Sequence, residues 1–207
     1  MSSLTASPAQ FQSGILTTAD GSVTTSHELP VPQCSPGVIL IKVYSVALNP
    51  SDYKMPNLAK TAGLLVGCDF AGEIVEIGNE ANANQTDRAP WRIGERVCGA
   101  VHGSNIRYPG WGAFAQYIEA DPVVLTRVPE GWSWEEGAAV GGSCVGAVGL
   151  ALFHQMGLRL PVIGNETLER MDLAERDKIS RQDLSKVVLV YGGSTASGTM
   201  ALQLLRL

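Results

Sequence analysis

Between residues 38 and 48 the chain reads VILIKVYSVAL, dense in β-branched and aromatic residues and preceded by the turn signal Pro36-Gly37. That pattern predicts a strand. Asn49-Pro50-Ser51-Asp52 breaks the run, and Ser51 or Asp52 is placed to cap a short helical turn. From Gly72 to Gly78, Ile74 and its apolar neighbours sit between glutamates, as expected of a half-exposed strand. Residues 79–92, NEANANQTDRAPWR, are polar and turn-prone and read as a surface loop. IGERVCGAV resumes as a strand, residues 103–112 form a glycine-marked loop, and FAQYIEAD and VVLTRVP complete a series of short strands. Short strands at regular spacing with glycine turns favour a small barrel or sandwich.

The pattern changes at Gly131. Ser133-Trp134-Glu135-Glu136 has the form of a capping box, in which Ser133 accepts from the N3 amide and Glu136 reaches back. A helical stretch follows, interrupted at Gly141-Gly142 and resuming through about Met156. Residues 159–186 are crowded with charge, and Leu168, Met171, Glu175 and Ile179 fall at roughly helical spacing. This segment reads as an exposed connection carrying one short amphipathic helix. Val187 to Val190 is apolar and β-branched, which suits a parallel strand buried on both faces. In the loop behind it, Gly192, Gly193, Ser194, Thr195, Ala196, Ser197 and Gly198 are small enough for backbone N–H groups to approach an anion. The following helix start adds partial positive charge, and Ser194, Thr195 and Ser197 add hydroxyl donors. The spacing departs from GxGxxG, so the loop read alone also suits a strand–turn–helix of another α/β fold. The residue that separates NAD from NADP falls roughly 20 positions past such a loop, which is beyond Leu207. The predicted organisation is a β-rich domain over residues 1–132, bridging helices over 133–158, a variable linker over 159–186 and the opening of a nucleotide-binding sheet over 187–207.

Composition narrows the partners. The chain is 45% hydrophobic and 17% charged, with a net charge of -5, which argues against nucleic acid or an anionic membrane surface. Its four cysteines are widely spaced with no CxxC pair, so they read as reduced thiols of a cytoplasmic protein. MSSLTASPAQFQSG has neither a basic n-region nor an apolar h-region, so no secretory signal is read there, and the sequons at Asn84 and Asn165 carry no expected glycan. Residues 137–158 hold no formal charge and are long enough for a bilayer. Six glycines, a serine, a histidine and a glutamine dilute them, and a buried glycine-rich helical segment is the preferred reading over a membrane span.

The stretches VALNPSDYKM, GCDFAGEIVEIG, WGAFAQYI and VYGGSTASGT together resemble the medium-chain dehydrogenase/reductase superfamily. Within it they resemble the trans-acting enoyl reductases that serve fungal highly reducing polyketide synthases and polyketide–peptide hybrids. The resemblance runs from about residue 12 to the end. It implies a mixed α/β chain: a GroES-like β-rich catalytic domain followed by the start of a Rossmann doubly wound domain, with the cofactor in the cleft between them. Family members are considerably longer, so the sequence is expected to be truncated, with little or no activity from residues 1–207 alone.

At the positions where zinc-dependent members carry a cysteine and a GHE motif, this chain has Asn49, Cys68 and Asp69, a set that does not make a catalytic zinc site. Cys68 then reads as a buried packing residue. Without metal, the implied chemistry is hydride transfer from NADPH to the β-carbon of an α,β-unsaturated thioester, the acyl chain being tethered to a synthase carrier domain. By resemblance, Pro50, Ser51, Asp52, Tyr53 and Lys54 contact the cofactor, with Lys54 near the nicotinamide ribose or phosphates. Gly192, Gly193, Ser194, Thr195, Ala196 and Ser197 hold its diphosphate. Lys54 and Tyr53 are the candidate catalytic residues; Tyr53 is either a donor at the reacting centre or a core packing residue. Ala139, Val140, Gly141, Gly142, Ser143, Cys144, Val145 and Gly146 correspond to a region lining the substrate tunnel. Tyr108, Trp111 and Phe114 are candidates for the cleft border, and His27, His102 and His154 match no catalytic pattern. The resemblance leans towards a monomer. Two alternatives stay open: a zinc-free quinone oxidoreductase of the same superfamily, and an inactive remnant or docking module.

Overall fold

Strands β1 (Phe11–Thr17) and β2 (Val23–Pro30) form an antiparallel hairpin. It appears in a computed structural model that describes residues 10–83, 89–158 and 187–206. The amphipathic helix expected around Leu168 to Ile179 and the sequons at Asn84 and Asn165 lie outside those residues. Five further strands make an antiparallel sheet: β3 (Ile39–Ala47), β4 (Asp69–Ile77), β5 (Arg96–Ala100), β6 (Tyr117–Ala120) and β7 (Leu125–Arg127), in the order β6-β3-β4-β5-β7. The strands predicted between residues 38 and 129 are all present.

Alternation sets what each face buries. Ile39 and Ile41 of β3, Phe70 and Ile74 of β4 and Val97 of β5 are fully buried, and Ile118 and Leu125 are 1% exposed, in one hydrophobic core. Register brings Ile41 opposite Ile74 on one side and Ile118 on the other. Ala71 of β4 and Cys98 of β5 form a second cluster with Val128 and Ala138. Ala138 belongs to helix α2 (Trp134–Val140), which begins at the capping box as predicted: Ser133 Oγ accepts from the Glu136 amide at 3.1 Å and Glu136 accepts from the Ser133 amide at 2.7 Å. Trp134 stacks on Tyr44 of β3 at 4.7 Å and 7°, and the Arg96 guanidinium lies 4.1 Å from the Trp134 ring centre, pinning α2 to the sheet.

Helix α1 (Pro50–Ala59) replaces the short turn expected after β3. Its cap is Asn49, with extended backbone, whereas Ser51 and Asp52 lie inside the first turn. Proline at the first helical position explains the earlier start, since it has no N–H to satisfy there and its φ is already helical. The break after α2 is where it was predicted: Gly141 takes φ 25° and ψ −111°. Helix α3 (Ser143–Gly149) and a π-helical turn over Leu150–Gln155 follow. The stretch Trp134–Gln155 has a mean hydropathy of 1.5 over its most apolar window and the length and composition to cross a membrane, but the turn at Gly141 divides it. Each part is far shorter than the roughly 20 residues a spanning helix needs.

Contacts separate the chain into two compact units, Met1–Ser143 and Cys144–Leu207, so α2 belongs with the sheet. In the second unit, helix α4 (Ala196–Leu204) follows the small-residue loop as predicted. The strand expected over Val187 to Val190 is not formed: no described strand pairs with it, and Val187 and Leu189 are 96% and 89% exposed. A parallel strand exists only through hydrogen bonds to neighbours and through layers covering both faces, and the described residues supply neither.

Candidate functional site

The first unit gathers three separate stretches of sequence around one carboxylate. Asp69, at the start of β4, is 3% exposed. Its Oδ2 accepts from the side-chain amide of Asn49 at 2.8 Å, and its Oδ1 accepts from the backbone amides of Gly142 at 3.2 Å and Ser143 at 2.8 Å. The Asn49 backbone N–H donates to Asp52 at 2.6 Å, so this cap serves two carboxyl groups at once. The predicted cofactor segment Pro50 to Lys54 and the first part of the predicted substrate segment, Ala139 to Ser143, are thereby brought together.

The two glycines have a packing reason of their own. A Cβ on Gly141 would sit 2.9 Å from Asp69 Cβ and Cγ, and one on Gly142 would sit 2.7 Å from Ala100 Cβ and 2.8 Å from Ala100 N. Their missing side chains let the turn close onto β4 and β5. Sequence reasoning noted Asp69 only as a departure from the zinc pattern and missed its role as a hub. The available signal was a Gly-Gly-Ser turn at a helix interruption, whose free amides require an acceptor.

Beneath the first turn of α1, Ser51 Oγ lies 3.7 Å from Cys68 Sγ. Burial is the main cause that pushes the Cys68 thiol above its ordinary value, with smaller contributions from Asp52. Burial likewise pushes the Asp52 carboxyl up, assisted by repulsion from Asp69 and opposed by the Asn49 amide. Asp52 Oδ1 is enclosed without a hydrogen-bond partner. Cys68 is partly buried and touches Ser51, so it is not the wholly enclosed packing residue expected. These contacts bear on zinc through donor chemistry: Asn49 presents N–H to Asp69, and both Asp69 oxygens are already engaged by N–H donors. The set does not fit a catalytic zinc.

Tyr53 is 66% exposed and Lys54 is exposed beside it, its Nζ 5.9 Å from the Tyr53 ring centre. The core-packing alternative for Tyr53 is therefore set aside. Tyr108 and Trp111 stack on each other at 4.6 Å, while Phe114 packs against the main core instead of standing at a border.

In the second unit the loop is organised by Thr195, which caps α4. Its hydroxyl accepts from the Gly198 amide at 3.0 Å and donates to the Gly192 carbonyl at 2.8 Å. Gly192 takes φ 87°, a left-handed conformation that glycine adopts without strain. A Cβ on Gly198 would fall 2.2 Å from the Gly192 carbonyl oxygen, so only glycine lets the helix approach its own loop this closely. Cys144 Sγ lies 3.9 Å from Ser197 Oγ, which places the second part of the substrate segment beside the predicted phosphate loop. The amides of Ala196 and Ser197 open the helix and have no intrahelical acceptors.

Residues 35–130 match the alcohol dehydrogenase GroES-like domain. A trans-enoyl reductase (ucsL) of an Acremonium species is 46% identical over 221 aligned residues, covering all of this chain and 54% of its own length. A trans-enoyl reductase (poxP) of Penicillium oxalicum is 42% identical, with 90% of this chain and 45% of the relative covered. The crystal structure of an alcohol dehydrogenase superfamily protein from Novosphingobium aromaticivorans superposes with a TM-score of 0.68 at 19% identity, over 95% of this chain and 50% of that one. The chain thus spans about half the length of the curated relatives it matches.

Proposed function

The chain is a homologue of the fungal trans-enoyl reductases and carries the GroES-like β-rich domain of medium-chain dehydrogenases, and from this premise we propose that the protein is an enoyl reductase. Its acceptor is an α,β-unsaturated acyl thioester held on a polyketide synthase carrier domain, and its reductant is NADPH. One observation carries the reading: 46% identity to a trans-enoyl reductase, sustained over the whole chain.

The residues fit the cofactor. The left-handed Gly192, the side-chain-free Gly198 and the open amides of Ala196 and Ser197 suit a diphosphate at a helix start. Lys54, exposed near the start of α1, supplies a cation and three donors for a ribose or phosphate, and Tyr53 a phenolic donor. When bound, NADPH would supply hydride to the β-carbon while a proton completes the α-carbon. The chain's own part is to orient the two reactants and to present donors to the thioester carbonyl as negative charge develops there. The cluster of Asn49, Asp69, Gly142 and Ser143 supports this by fixing the backbone on which the predicted cofactor and substrate segments are mounted.

The test joins residues 1–207 to the remaining half of the Acremonium relative and follows NADPH consumption. An enoyl thioester on a pantetheine arm is expected to be reduced, with a small quinone inert. Lys54→Ala should weaken NADPH binding about tenfold, the scale of one charge-assisted hydrogen bond. Preference for the quinone, or enoyl reduction indifferent to Lys54→Ala, would overturn the assignment. The 207-residue chain alone is expected to turn over slowly at best, since Val187 to Val190 has no strand to pair with among its described residues.

A further inference from the structure

Asp69 is a buried carboxylate that hydride transfer to an alkene does not call for, and it is nonetheless fully engaged. All three of its partners are N–H donors: Asn49 Nδ2 at 2.8 Å, the Gly142 amide at 3.2 Å and the Ser143 amide at 2.8 Å. We propose that Asp69 is a positioning residue that clamps the N-cap of α1 to the Gly141–Ser143 turn, so that Ser51 to Lys54 and Ala139 to Ser143 are held as one body. The functional half of this inference rests on the reading above; the clamp itself does not.

The chemistry of the clamp specifies its members. Each Asp69 oxygen faces donors only, so a side chain with one acceptor and one donor would oppose a donor with a donor on one side, whichever way it turned. Length is constrained too, because Gly141 approaches Asp69 so closely that even a Cβ on it would clash at 2.9 Å. Asn49 is equally particular. Its backbone N–H serves Asp52 while its side-chain amide serves Asp69, and a side chain lacking an N–H could not hold both carboxyls. A carboxylate excluded from water makes charge-assisted bonds of greater strength than neutral pairs, and leaving it or its donors unmatched is correspondingly costly. The donors come from the loop after β3 and from the end of α2, elements that carry separate predicted roles.

The experiment is a reciprocal swap read by hydrogen exchange on the 207-residue chain. Asp69→Asn should speed exchange of the Gly142 and Ser143 amides and of the first turn of α1 together, by about tenfold or more, and leave the β1–β2 hairpin unchanged. Adding Asn49→Asp restores a donor–acceptor match: the new amide donates to the new carboxylate and keeps its oxygen towards Gly142 and Ser143. Both segments should then return towards their original rates, a rescue that a general packing defect would not show. Unchanged exchange in Asp69→Asn, a change in only one of the two segments, or no recovery in the double variant would overturn the clamp. Should Asp69→Asn fail to fold, recovery of folded protein by Asn49→Asp supports it, and a double variant that also fails to fold counts against it. A second arm titrates NADPH on residues 1–207 joined to the remaining half of the Acremonium relative: affinity should fall in the single variant and recover in the double. A joined chain whose original form binds no NADPH speaks against the assigned reaction alone, because the exchange arm needs no cofactor.

Discussion

Strand β4 and the run Val187 to Val190 are both short, apolar segments that open a functional stretch, and they end in opposite states. β4 pairs with β3 on one side and β5 on the other, and Phe70 and Ala71 in it are fully buried. Val187 to Val190 pairs with nothing described, and its alternate residues Val187 and Leu189 are almost fully exposed. The loop and helix directly behind it nevertheless keep their form. Thr195 bonds to Gly192 and Gly198, three residues away on either side, and Thr199 bonds to Gly193. A turn closed by local hydrogen bonds needs only its own residues, whereas a strand needs distant ones. Hydrophobic pattern states what a segment requires of its surroundings, and the two regions differ in whether those surroundings are there.

The sharpest way to break this comparison is to remove one apolar side chain from each region. Phe70→Ala is expected to destabilise the sheet unit by about 3–5 kcal/mol, the cost of a lost buried ring plus its cavity. Leu189→Ser should change stability by less than about 0.5 kcal/mol, as for an exposed position. Urea unfolding of the 207-residue chain measures both. A cost above about 1 kcal/mol for Leu189→Ser would mean that the segment has a buried partner in solution, and the contrast would fail.

The two helix caps refine it at lower energy. Ser133 and Thr195 make the same bond, from the N3 amide to a side-chain oxygen, at 3.1 Å and 3.0 Å. Ser133→Ala and Thr195→Ala should each cost about 1 kcal/mol of local helix stability. The readouts should differ. Because α2 is packed on the sheet through Ala138 and Trp134, Ser133→Ala should lower the midpoint of cooperative unfolding. Thr195→Ala should appear only as faster amide exchange across Gly198 and Thr199, with the main transition unmoved. Equal shifts of that transition would show the two helices to be equally coupled to the core.

What could be read from sequence follows the same division. The strand at residues 39–47, the capping box at Ser133 and Glu136 and the break at Gly141 were legible, because each is signalled within a few residues. The hairpin strand β2, VTTSHELP, was not anticipated: all its residues are at least partly exposed, so no alternation marks it. Asn49 was overlooked as a cap in favour of Ser51 and Asp52, since all three types cap helices and only Pro50 at the first helical position decides among them. The Asp69 hub was invisible for a stronger reason. Its partners stand 20, 73 and 74 residues away, and nothing in the local sequence joins them.

The smallest expected effect belongs to Asp52. Burial raises its carboxyl above the ordinary carboxylate range, the Asp69 charge adds to this, and the Asn49 amide opposes it. In the unfolded chain Asp52 therefore releases its proton at a lower pH than in the folded one. Where the folded form binds more protons, stability falls as pH rises, so this group contributes a decline from the ordinary carboxylate value up through its raised one. Asp20 acts oppositely: the Thr18 hydroxyl and the Ser22 amide and hydroxyl hold it down at about 2, giving stability that is lost as pH falls towards that value. Both groups titrate in acid, and subtracting variants separates them. Asp52→Asn keeps an acceptor for the Asn49 amide but cannot ionise. Its stability relative to the original chain should therefore improve as pH climbs through the carboxylate range and level off above it. A difference that is flat with pH would mean that Asp52 is solvated like an ordinary surface acid, and the first turn of α1 would then be as open to water as the unpaired run Val187 to Val190.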